Sequence, residues 1–127
     1  MRLALLAAAI VAVSIVPAQA SVGVFCSGPD GVSFDAPLSG GVGLTVMSAT
    51  VEAAGKVWTT ETALEDPQAI VPAQTWGSGD FMWFDFSDTN LEANVVEVRI
   101  FMTDDGAQGG TLEVKDVGSW VISCDLG

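Results

Sequence analysis

The sequence predicts an all-β fold, a single-domain antiparallel β-sandwich or small barrel of about seven to nine short strands. Three observations carry this expectation. The chain's 14 glycines all follow residue 22 and break it at short intervals together with the prolines. Residues 95–103 alternate, with Val96, Val98, Ile100 and Met102 on one side and Glu97, Arg99 and Thr103 on the other. That period of two belongs to a half-buried strand. No amphipathic helical pattern of useful length and no internal repeat occurs anywhere.

The first element is a leader. Arg2, an apolar run over residues 3–16, Pro17 and then Ala18-Gln19-Ala20 make the pattern of a secretory signal peptide. Cleavage after Ala20 leaves residues 21–127 as one β-domain. The run is too short for a spanning helix, so no stable membrane anchor is expected after cleavage. The bacterial periplasm or the extracellular space is the predicted location.

Residues 22–26 form a first strand, ended by the turn signal Ser27-Gly28-Pro29-Asp30-Gly31. Residues 32–34 make a short strand before Pro37, and residues 39–41 a loop. Residues 42–53 are a long β-rich stretch, and Gly55 turns into a strand over 56–62 favoured by Val57, Thr59 and Thr60. Residues 63–74 carry the weakest pattern, because Pro67 and Pro72 limit them to a single helical turn near 64–66. Residues 76–80 read as a loop, 81–86 as a strongly apolar strand and 87–90 as a turn. After the 95–103 strand, residues 103–110 form a hairpin-like loop. Leu112 and Val114 then alternate with Glu113 and Lys115, and Gly118 opens a last strand with Trp120, Ile122 and Cys124 on one side.

Cys26 and Cys124 are the chain's two cysteines, near the two ends of the exported part. In an oxidising compartment they are expected to pair with each other and tie the terminal strands together. Phe25 precedes Cys26 where a lipidation signal wants a small residue, which argues against acylation.

All 16 acidic residues lie beyond residue 20, where only Lys56, Arg99 and Lys115 oppose them. Without a basic cluster, binding to nucleic acid is electrostatically disfavoured. The chain has no histidine and no tyrosine, which removes Ser-His-Asp and Cys-His chemistry and most zinc sites. A small hydrolase using two carboxylates is the residual catalytic option.

Two surfaces are candidates for binding. In residues 81–86 strict alternation puts Met82, Phe84 and Phe86 on one face and Phe81, Trp83 and Asp85 on the other, so both faces carry large apolar groups. Phe81 and Trp83, with Trp58 and Trp76, form the predicted interaction surface, for an exported protein or a glycan, within an acidic rim that steers basic partners. The alternative is a calcium- or carbohydrate-binding domain built on acidic loops. Its ligands would be Asp85, Asp88 and Asn90 with Asp104, Asp105 and Gln108, a set that matches neither the EF-hand spacing nor the nonapeptide glycine-aspartate repeat. No other cofactor is expected. The preferred expectation is a non-catalytic binding or interaction module.

Overall fold

The computed structural model describes residues 23–41, 43–103 and 108–126. The expected leader over residues 1–20 and the loop acids Asp104 and Asp105 lie outside the described residues. Ten antiparallel strands occur among those described. In chain order they are β1 (Gly23–Ser27), β2 (Ser33–Gly41), β3 (Gly43–Val46), β4 (Thr50–Ala53) and β5 (Lys56–Thr59), followed by β6 (Val71–Ser78), β7 (Phe81–Ser87), β8 (Asn94–Met102), β9 (Gln108–Val114) and β10 (Gly118–Leu126). They form one sheet in the order β5-β4-β2-β1-β10-β9-β8-β7-β6, with β3 paired to the far half of β2.

The sheet curls into a nearly closed barrel. Its two ends approach where β3 lies against β6 and where Thr59 at the end of β5 bridges Ala69 in parallel. There the Thr59 amide donates to the Gln68 carbonyl at 3.2 Å, and the Ile70 amide donates to the Thr59 carbonyl at 3.1 Å. The Gln68 side-chain amide donates to the Val57 carbonyl. The chain after β5 thus folds back over that strand's open backbone edge, which would otherwise invite pairing with another chain.

Inward side chains fill the barrel. Phe34 on β2 meets Phe84 and Phe86 on β7 at ring separations of 5.6 and 5.9 Å. Those strands stand far apart in the sheet order, so the contact crosses the interior. Val24, Val51, Val96, Val98, Ile100, Leu112 and Val114 complete the core. Full burial of each such side chain contributes about 1.5–3 kcal/mol. Cys26 and Cys124 stand directly opposite on β1 and β10, with Cα atoms 4.0 Å apart, and form a disulfide. The bridge joins the terminal strands at the middle of the sheet order.

Several local expectations are corrected. The strand at 32–34 continues through Pro37 to Gly41, and the predicted 39–41 loop is strand. Pro37 is tolerated because it stands opposite Gly23, where the β1 ladder ends, while its carbonyl accepts the Met47 amide at 2.9 Å. The 42–53 stretch breaks into β3 and β4, and the strand over 56–62 stops at Thr59. Residues 63–69 form successive turns rather than a helical one, with Asp66 accepting the Gln68 amide at 2.8 Å. Trp76, Gly77 and Ser78, expected in a loop, belong to β6. This strand ends the sheet path, a place where proline is tolerated, and a bulge between Pro72 and Gln74 absorbs the irregularity.

Candidate functional site

The barrel's outer face over β6, β7 and β8 gathers the aromatic residues that the interior does not take. Register decides which side chains meet. Trp76 stands opposite Trp83, and Trp83 opposite Arg99. One step along, Ser78 faces Phe81 and Phe81 faces Phe101. Because side chains alternate along each strand, Phe84 and Met82 point into the core while Phe81 and Trp83 point out. The four outer rings are in mutual contact, with centroids 4.8–5.9 Å apart across Trp76–Phe81, Trp76–Trp83, Phe81–Trp83 and Phe81–Phe101. Their planes are inclined at 55° to 73°, a herringbone rather than a flat shelf.

Trp76 is 48% exposed and Phe101 53%, while Phe81 and Trp83 are half-buried beneath them. Arg99 braces the patch. Its guanidinium lies 4.6 Å from the centre of the Trp83 ring and donates to Asp85 Oδ1 at 2.7 Å and to the Val98 carbonyl at 3.0 Å. This is the only ion pair among the described residues. Asp85 is buried, so its charge relies on Arg99 for compensation. The Trp83 indole Nε1 is buried without a hydrogen-bond acceptor among the described residues.

The next outward row holds carboxylates. Gln74, Asp85, Glu97 and Glu113 stand side by side on β6, β7, β8 and β9. Glu97 and Glu113 are directly opposed, and Asn94 Nδ2 donates to Glu97 Oε1 at 3.2 Å. Two like charges across a ladder disfavour the pairing they sit on.

The sequence-derived candidates separate on this frame. Trp76, Phe81 and Trp83 come together. Trp58 does not join them, because it faces the core opposite Val51 and is 6% exposed. Phe101 was hidden from sequence reasoning by its place among Glu97, Arg99 and Thr103, where only the strand register reveals its neighbour Phe81. Arg99 is a partly covered brace between a carboxylate and an indole.

Of the acidic loop candidates, the described Asp85 and Asp88 serve separate local roles. Asp85 is engaged by Arg99 on the sheet, away from the turn after β7. Asp88 Oδ1 accepts the amides of Asn90 and Glu92 at 3.1 and 2.9 Å, shaping that turn. Among the described residues no three acidic side chains are grouped as metal ligands. Elsewhere, Phe25 stands between Asp35 and Asp125 on neighbouring strands, and beside Asp35 and Glu52 it borders an open depression of about 560 Å³. Comparison with protein-family models, characterised proteins and solved structures finds no match.

Proposed function

We propose that this chain is an exported, non-catalytic binding module whose working surface is the outer face of β6, β7 and β8. One observation carries the reading: four aromatic side chains cluster on the outside of a barrel whose interior is already filled, and Trp76 and Phe101 remain about half exposed. A contiguous apolar patch of this kind on a small charged domain is characteristic of a contact surface. Trp and Phe anchors contribute strongly when a partner covers them. The Arg99 brace holds Trp83 in place before any partner arrives, which lowers the ordering cost of binding.

The herringbone packing favours a polypeptide over a sugar, since stacked sugar rings want an open aromatic face and these rings cover one another's faces. Export is supported by the disulfide between the terminal strands and by the leader-like residues 1–20. Among the described residues no helix is long and apolar enough to cross a membrane.

Screening the oxidised domain over random-peptide and glycan arrays tests the proposal. Trp76→Ser/Phe101→Ser is the site variant, and Val121→Ser, at another exposed position, is the control. Peptide binding that the site variant loses and the control retains is expected. Binding indifferent to Trp76 and Phe101 overturns the reading, and binding confined to glycans replaces it with the carbohydrate alternative.

A further inference from the structure

Resting on the reading of the aromatic face as a binding surface, we propose that its partner is an extended, cationic and apolar polypeptide segment. The segment would set a lysine or arginine against Glu97 and Glu113 and an apolar side chain against Phe81 and Phe101.

Register supports this arrangement. Glu97, Arg99 and Phe101 are successive outward residues of β8. At about 3.4 Å per residue, Glu97 and Phe101 lie roughly 14 Å apart along the strand. A segment laid along β8 in extended form therefore matches both ends with side chains four positions apart. Between them, Arg99 is already neutralised by Asp85 and stacked on Trp83, so it does not repel an incoming cation at full strength. Among the described residues the carboxylates at the far end have no such partner. Glu97 receives only the neutral Asn94 amide, and neither Glu97 nor Glu113 forms an ion pair among the described residues. Lys115 follows Glu113 by two residues and pairs with neither.

An uncompensated like-charge pair in the middle of a ladder works against the fold, and such local conflicts mark surfaces kept for function. A cation bridging the two carboxylates turns that repulsion into attraction. The whole-molecule charge acts the same way, because 16 acidic residues against four basic ones draw in cationic partners and discourage a second copy of this chain.

The probe is an acetylated, amidated peptide of about seven residues, long enough to span this distance in extended form. It carries lysine and leucine four positions apart, and a counterpart carries glutamate in place of lysine. Binding is followed by isothermal titration. The lysine peptide is expected to bind and the glutamate peptide not. Glu97→Gln/Glu113→Gln is expected to weaken binding about tenfold, and raising the salt from low to high to weaken it by a similar factor. Trp76→Ser/Phe101→Ser is expected to abolish it. Failure of the lysine peptide to bind overturns the inference. Dependence on the aromatic pair, with indifference to salt and to the two glutamates, also overturns it while leaving the binding-face reading intact. Indifference to the aromatic pair removes both.

Discussion

Replacing Arg99 by methionine keeps an apolar stem over Trp83 but removes the ion-pair partner of Asp85. The Asp85 side chain is 6% exposed and that of Arg99 23%, so the carboxylate would stay buried without a counter-charge. Breaking a fully buried pair from one side costs about 3–5 kcal/mol. Water reaches the Arg99 side, which lowers the expectation to about 2–3 kcal/mol, including about 0.5–1 kcal/mol for the lost cation–π contact. For a domain of roughly 100 residues this is a fall in Tm of about 10 °C. The double variant Asp85→Leu/Arg99→Met removes both charges and should lie within about 1 kcal/mol of the parent, since no orphaned charge remains. Urea unfolding of the oxidised protein, followed by tryptophan fluorescence and far-UV circular dichroism, measures both. A single variant within about 0.5 kcal/mol of the parent would refute the reasoning, as would a double variant at least as unstable as the single.

Three further outcomes follow from the fold. Replacing Cys26 and Cys124 with alanine opens a link across 98 residues of chain, and should cost about 4–5 kcal/mol in urea unfolding; a loss under about 1 kcal/mol contradicts the role given to the bridge. A Cβ at Gly110 would collide with the Arg99 carbonyl and lie 3.0 Å from Ile100 Cα, so Gly110→Ala should part β8 from β9 and cost about 2 kcal/mol or more. At Gly109 the nearest atom would be 3.6 Å away, so Gly109→Ala, melted in parallel, should change stability by less than about 1 kcal/mol. Ala54 and Gly55, at φ 51° and 74°, make the turn between β4 and β5, where Ala54→Asn should raise the urea midpoint by the equivalent of about 0.5 kcal/mol.

Much of this architecture was legible from residue alternation. The inward Val96, Val98 and Ile100 of β8 and the two-sided character of β7 follow from period two alone, as does the shared side of Ile122 and Cys124. What escaped depended on partners distant in sequence. Pro37 read as the end of a strand and Pro72 as a limit on a helical turn, yet one sits inside a strand where a ladder ends and the other on the last strand of the path. Trp58 alternates with Lys56 and Thr60, which reads as an outward position; pairing with Val51 turns Trp58 inward and leaves Val57 42% exposed. The site was half legible for the same reason. Trp76, Phe81 and Trp83 stood out by composition, whereas Phe101, the Arg99 brace and the opposed glutamates emerge only from cross-strand register.

The four tryptophans offer a built-in map of the binding face, because each indole N–H gives its own NMR signal. Titrating the lysine-bearing peptide into isotope-labelled protein should move the Trp76 and Trp83 signals and leave those of Trp58, inside the barrel, and Trp120, packed over Gly118, in place. Movement of Trp58 or Trp120 while Trp76 and Trp83 stay fixed would contradict the assignment of the outer face of β6, β7 and β8 as the working surface.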